Sequence, residues 1–460
     1  MANTLLVPLS PLDHNGVIAV GATLGYVLKS VDAAAVEDAA KRVIDKWRLL
    51  AGRPEWSRRL ASWCIRVPVA GDVSHRLKFS TSKLALPLDT PITYLGDTSA
   101  EILERPSLKF FRHPSVPNSL ASYASSNHPI ISIHIAELTN CSCLGISIPH
   151  GIFDAFGLGQ FLGALDAELN GKPWTPPVFS SSNILRTALE DLAATGPHRN
   201  TDKPSALADV QRDFASATLK NNVSYGLGFA SEYLWHTPVV KSIFLGKHVL
   251  EQLTRVVKDE AVKSGSGWVT TGDILMAWLL KAIYLHEHDD IPVSIMSVFS
   301  IRSVLSSIHP AFATYTHNAI MPCGIPVFTK EEITTKSMTE LAIIHRRNVN
   351  VARNVSFIGA YGQWLASIGG NTIPRRRPGG NFWMVSNQSI GHFDQIDFGS
   401  GMIAQWFWSL PIFPDQVFTL NKFKGGYVVE INMRPERWKG VAETIDRMKK
   451  GENVKYRTKL

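Results

Sequence analysis

Cysteine is scarce in this chain, with four in 460 residues: Cys64, Cys141, Cys143 and Cys323. That density is too low for a disulfide framework, and the spacing gives no paired set of metal ligands. Cys141 and Cys143, two apart, fall on one strand face, and buried thiols are expected. No apolar run reaches the roughly 20 residues a membrane span needs, so no membrane partner is expected. Met1 to Leu12 contain no basic stretch leading into an apolar core and a cleavage site, so no secretory signal is read and a cytoplasmic location is expected. No metal set, glycine-rich nucleotide loop or serine-nucleophile signature is visible.

What is present is an ordinary globular composition: 45% apolar and 19% charged residues over 460 positions, enough for two or three packed domains. The formal net charge is +8, but the basic residues are dispersed, which argues against nucleic acid as a partner. A modest positive excess suits a small polyphosphate ligand. The one short basic cluster is Arg375, Arg376 and Arg377.

Hydrophobic periodicity gives the organisation. Val36, Ala40, Val43, Trp47 and Leu50 recur at helical steps, predicting a helix over 32–52 that Gly52 and Pro54 stop. Ile131, Ile133 and Ile135, then Leu144, Ile146 and Ile148, alternate about a Thr139 to Ser142 turn and predict a hairpin. Leu158, Phe161, Leu162, Leu165 and Leu169 then share a helical face, so His150 stands where a strand hands over to a helix. Residues 172–217, rich in Pro, Ser, Thr and Asp, read as a crossover with a helical island near 184–193. Beyond it, helices are expected at 250–263 and 273–286 and after Trp438, and strands at 293–301, 381–386, 402–408 and 426–432.

His150-Gly151-Ile152-Phe153-Asp154 carries the candidate chemistry. A histidine is the natural base for an alcohol or amine nucleophile at neutral pH, and an aspartate at such a junction can hold the turn by pairing with a cation. A second element, Asp397-Phe398-Gly399-Ser400-Gly401, follows the Ser386-Asn387-Gln388 strand end.

These two segments resemble those of the BAHD acyltransferases, particularly their fungal secondary-metabolism members: a His-x-x-x-Asp segment closing the first domain and an Asp-Phe-Gly-Trp-Gly segment late in the second. Leu9 to Asp13, resembling an opening strand, Leu49 to Arg53, Ile301-Arg302-Ser303 and Tyr315 to Ala319 resemble the family in the same order, so the resemblance spans nearly the whole chain. Pro149 stands where peptide-synthetase condensation domains carry a second histidine, and Ala155 where a glycine commonly follows the aspartate. Ser400 replaces the usual tryptophan, and Gln388 falls near a tryptophan that often follows the strand end.

The resemblance implies an α/β fold of two chloramphenicol-acetyltransferase-like domains with a tunnel at their interface: 1–180 with the His-x-x-x-Asp motif, a 181–220 linker, and 221–460 with the late motif. It implies acyl transfer from acyl-CoA, acetyl by default, to a hydroxyl or amine of a specialised metabolite. His150 is the expected general base and Asp154 its structural companion. Arg302 is the cation expected to pair with Asp154 or Asp397, and Asp397, Phe398, Gly399 and Gly401 are expected to be structural. Ser386, Asn387 and Gln388 are the candidate oxyanion donors.

For coenzyme A, Thr270 and Thr271 resemble the family's entry to a helix beside the pantetheine arm, and Arg375, Arg376 and Arg377 are candidates for the phosphates or for a solvated loop. Acyl-CoA and the acceptor are the expected partners. No permanently bound cofactor, no metal and a monomer are also expected. With no serine-nucleophile signature, an acyl-enzyme is disfavoured and direct transfer in a ternary complex is expected. The alternatives are a condensation or cyclisation catalyst fed by a carrier, and a binding relative that lost the reaction. Structural roles are expected for His134, His317 and His392. Most of Phe153, Phe156, Trp406, Phe407 and Trp408 should be core, with some lining an acceptor tunnel.

Overall fold

A computed structural model describes residues 4–13, 19–71, 73, 76–88, 96–178, 182–195, 206–265, 267–287, 290–377, 379–396, 398–399, 401–410 and 415–450. Asp397 and Ser400 of the late motif lie outside them.

The 132–149 stretch forms the expected hairpin, Ser132–Glu137 against Ser142–Pro149, antiparallel with Ile133 opposite Ile146. It sits within a five-stranded sheet in the order Met402–Leu410, Gly21–Leu28, Ser142–Pro149, Ser132–Glu137, Lys78–Lys83. The helices Ala33–Lys46 and Ala155–Leu169 cover one face, because their apolar stripes, Val36, Val43 and Ile44 on one and Phe161, Leu162 and Leu165 on the other, meet the sheet's isoleucines in one core.

The second large sheet has eight strands. Ile320–Pro322, Val293–Ser300, Asn381–Ser386, Gln416–Phe423, Gly426–Met433, Val239–Leu245 and Ala100–Glu104 run in that order, with Val327–Phe328 added beside Val293–Ser300. Its core is built on the helix Thr271–Ile283, whose Trp278 packs with Trp383 and Val429. Val293–Ser300 and Asn381–Ser386 are parallel neighbours, with Val298 opposite Ser386.

Chain order and sheet membership part company at two strands. Ala100–Glu104, early in the chain, joins the second sheet beside Val239–Leu245, and Met402–Leu410, late in the chain, pairs with Gly21–Leu28 in the first. Each half thus borrows a strand from the other, which ties the two sheets across the join.

In the crossover the helical island is Ile184–Thr195. A further helix, Leu219–His236, follows where no helix was expected, because it has no clean apolar stripe: Leu219, Leu227, Leu234 and Trp235 are exposed. The stretch resembling an opening strand divides differently. Thr4–Pro8 is the strand, and Pro11 to Asp13 form a turn, held by Ser10 N–H donating to Asp13 Oδ2. All four cysteines are buried thiols outside any disulfide. Among the described residues no helix is long and apolar enough to cross a membrane.

Candidate active site

His150 follows directly on the strand Ser142–Pro149. Its backbone N–H donates to Val20 O at 2.8 Å, and its backbone carbonyl accepts from Asn318 Nδ2 at 3.0 Å. The ring Nδ1 lies 2.9 Å from the Phe153 carbonyl. A carbonyl only accepts, so Nδ1 carries the proton and Nε2 is left with the lone pair, the form a general base needs.

Asp154 caps the next helix, Ala155–Leu169, through Oδ1, which accepts from Gly157 N–H at 3.1 Å. The same carboxylate takes both arms of Arg302, Nη1 to Oδ2 at 2.8 Å and Nη2 to Oδ1 at 3.0 Å, and Ala319 N–H donates to Oδ2 at 3.0 Å. Of the two partners expected for Arg302, Asp154 is bonded to it, and Asp397 lies outside the described residues. Arg302 also donates to the carbonyls of Tyr315 and His317 and lies over the Phe156 ring at 4.5 Å.

The Tyr315 to Ala319 loop therefore brackets the motif from the second half. His317 Nδ1 meets Ile152 O at 3.2 Å, its ring stacks on Phe153, and burial pulls its pKa down to about 4, which favours the neutral ring. Asn318 donates from its backbone and side chain to Asp13 Oδ1, at 3.1 Å each. Burial raises the Asp13 carboxyl to about 7, against hydrogen bonds from Ser10 and Asn318 that oppose the shift. Two glycines let the halves approach: a Cβ on Gly157 would stand 2.0 Å from Thr316 O, and one on Gly159 2.2 Å from Gly391 O.

A cavity of about 780 Å³ opens at this join, lined by His150 and Asp154 from the first half and Arg302 from the second. Ser386, Asn387 and Gln388 line it as well. Asn387 Oδ1 accepts from Ser389 N–H and Oγ, which leaves its amide N–H groups to donate elsewhere. Gln388 is buried, and its Oε1 has no hydrogen-bond partner among the described residues. Phe153, Phe156 and Phe407 also line the cavity, whereas Trp406 and Trp408 pack with Phe111 in the core.

Thr270 and Thr271 reach the same cavity. Thr270 is the N-cap of the helix Thr271–Ile283 in a reciprocal capping box with Asp273. Arg375, Arg376 and Arg377 do not line this cavity; they line a second one of about 550 Å³. Local geometry explains it: Arg375 Nε donates to the carbonyls of Gln211 and Phe214, and Arg376 lies over Phe229. Among the described residues the Arg and Lys side chains that reach the His150 cavity, besides Arg302, are Arg346, Arg353 and Lys422, which sequence reasoning missed because they are scattered over three separate stretches of the chain.

The described part of the late motif lies away from the cavity. Phe398 packs edge-on against Tyr26 of the first sheet at 5.0 Å, and Phe398, Gly399 and Gly401 all have positive φ, making the tight turn into Met402–Leu410. His134 is buried and bonded to Ser80, and His392 is exposed on a left-handed turn.

Two sheet-and-helix halves with a motif-borne histidine at a cavity between them define the chloramphenicol-acetyltransferase-like two-domain class. A sequence profile of the Transferase family matches residues 109–420, more than half of the chain. The chain belongs to that family, the BAHD-type acyltransferases. Acetyltransferase BOT5 of Botryotinia fuckeliana is 25% identical over 247 residues, which cover 51% of this chain and 42% of that protein. Acetyltransferase pyiB of Pyricularia grisea is 24% identical over 363 residues, 75% of this chain and 69% of that protein. The match thus spans less than half the length of BOT5. F. sporotrichioides TRI101, solved with coenzyme A and T-2, shares the fold with a TM-score of 0.65 over 97% of each chain at 13% identity.

Proposed function

We propose that the protein transfers an acyl group from acyl-CoA directly to a hydroxyl or amine of a specialised metabolite, with His150 as general base. The observation that carries this reading is the tautomer of His150: Nδ1 is committed to the Phe153 carbonyl, which leaves Nε2 basic in a ring that lines the cavity between the halves.

The acceptor's proton passes to His150 Nε2 as its oxygen or nitrogen attacks the thioester carbonyl. Negative charge gathers on the carbonyl oxygen, for which the amides of Asn387 and Gln388 and the hydroxyl of Ser386, all lining the same cavity, are the candidate donors. The tetrahedral intermediate collapses with loss of the thiolate, which regains a proton from the imidazolium. A thioester is already activated, so positioning, one base and an oxyanion donor suffice. Asp154 does not touch the reacting atoms; it and Arg302 hold the loop that aims His150.

Coenzyme A is assigned to the Thr270-Thr271 side of the cavity, with Arg346 and Arg353 nearby for its phosphates; Arg375, Arg376 and Arg377 serve only where the tail extends beyond it. Acetyl is the donor to test first, because BOT5 and pyiB are named acetyltransferases. T-2, which TRI101 holds, is a rational first acceptor for a cavity walled by Phe153, Phe156 and Phe407. One chain supplies both walls, so the protein acts as a monomer, in the cytoplasm. The test is a mass-spectrometric screen of acetyl-CoA against hydroxylated and amine metabolites, beside a carrier-bound acyl donor. Acyl transfer from CoA in the wild type supports the reading, and transfer from the carrier alone contradicts it.

A further inference from the structure

The His150 cavity holds a second set of polar residues that the transfer above does not use. Ser297 Oγ lies 2.8 Å from His345 Nε2, and His345 Nδ1 lies 2.7 Å from Asp273 Oδ1. Asp273 Oδ2 accepts from Arg346 Nε at 2.8 Å and Nη2 at 2.6 Å. All of Ser297, His345 and Asp273 line the cavity beside His150.

The three residues come from a strand, Val293–Ser300, a helix, Met338–Ala352, and the first turn of the helix Thr271–Ile283. Burial works against the Asp273 carboxylate. Its bond and charge interaction with His345, its bond with Thr270 and the Arg346 charge outweigh that and hold the carboxyl below its ordinary value. An ionised carboxylate only accepts, so His345 Nδ1 carries a proton, and in the neutral ring Nε2 offers its lone pair to the Ser297 hydroxyl. Arg346 pins the carboxylate, and the carboxylate orients the ring.

A buried strand serine needs a hydrogen-bond partner, and His345 would supply one in any fold. What distinguishes this arrangement is the in-line order of hydroxyl, imidazole and carboxylate at the wall of a cavity, the order that makes a hydroxyl nucleophilic. Thr271 and Gly272 line the same cavity, and their N–H groups precede the first intrahelical bond, Ile274 N to Thr270 O. Such N–H groups suit a developing anion.

We propose that Ser297, activated by His345 and Asp273, is a second acyl acceptor that gives the protein an acyl-CoA hydrolase activity when no metabolite is bound. This rests on the reading that acyl-CoA occupies the cavity. Ser297 Oγ bonds to the thioester carbonyl carbon, its proton passes to His345 Nε2, the C–S bond breaks, and the thiolate takes that proton. Water then adds to the new ester with His345 accepting its proton, the C–Oγ bond breaks, and Ser297 regains the proton. The net reaction is acyl-CoA and water to carboxylic acid and free coenzyme A.

The test uses the full chain in two arms. It is treated with a fluorophosphonate, whose reaction does not depend on coenzyme A binding, and separately with acetyl-CoA without acceptor, followed by acid quench and peptide mass mapping. Both reagents are expected to modify Ser297. Fluorophosphonate labelling should fall about 10²–10⁴-fold in His345→Gln, and acceptor-free thiol release should be lost in Ser297→Ala. The proposal is overturned if neither reagent modifies Ser297 in the wild type, or if acceptor-free thiol release survives Ser297→Ala at the wild-type rate. Acylation of a metabolite with Ser297 never modified sinks this proposal alone. Fluorophosphonate labelling with no use of acetyl-CoA in either reaction sinks it together with the proposed function.

Discussion

Arg302 grips both carboxylate oxygens of Asp154, at 2.8 and 3.0 Å, across 148 residues of chain and across the join between the two halves. Their side chains are 5% and 2% exposed, so water cannot replace either partner. The pair does more than join two elements. Through Asp154 it caps the helix behind His150, and through Tyr315 and His317 it holds the loop that contacts His150 from the other side.

Removing one member strands a buried charge. Arg302→Ala is expected to cost about 3–5 kcal/mol of stability, read as a lowered urea midpoint, and to lower turnover in whatever fraction folds. An unchanged midpoint with unchanged activity would show the pair to be ornamental.

Close approach of the halves makes a second demand. Gly157→Ala drives a Cβ towards Thr316 O from a starting gap of 2.0 Å, and backbone cannot yield as a side-chain tip does. The expected cost is about 1–3 kcal/mol, with an activity loss of tenfold or more from displacement of the loop around His150. Wild-type melting and turnover in this variant would contradict the packing described.

Asp13 sets a pH dependence that can be isolated. Its pKa rises from 3.8 to about 7 in the fold, so the folded state holds its proton more tightly than the unfolded one. The stability this contributes is present below pH 4 and lost as pH rises through about 7. Asp13→Asn is expected to flatten the stability profile between pH 4 and 7 relative to wild type, measured by thermal unfolding across that range. A parallel profile in the two proteins would place the raised group elsewhere.

Much of this was legible in the sequence where local pattern and tertiary role coincide. Alternating isoleucines marked the hairpin that ends at His150, and a three- and four-residue apolar rhythm marked the helix behind it. The ion-pair partner was narrowed to Asp154 or Asp397, and the bond to Asp154, 148 residues away, is one that only the fold reveals. The Arg375 to Arg377 cluster suggested a phosphate site, yet Arg375 is spent on the carbonyls of Gln211 and Phe214, which no composition reveals. Ser297, His345 and Asp273 stayed hidden because their order along the chain forms no motif. The helix Leu219–His236 was missed because its leucines face outward.

The oxyanion assignment separates two neighbours. Asn387→Ala and Gln388→Ala are each expected to fold normally, and the one whose amide meets the developing charge should lower kcat about 10²–10³-fold with little change in KM. If both variants keep wild-type kcat, Ser386 is left as the donor in that wall.

The central claim concerns one nitrogen. Acceptor-dependent thiol release from acetyl-CoA, measured in wild type and in His150→Ala of unchanged melting temperature, is its most direct test. The expected result is a fall in kcat of about 10²–10⁴-fold, not restored by raising either substrate. Turnover at the wild-type rate in a correctly folded His150→Ala protein would contradict it.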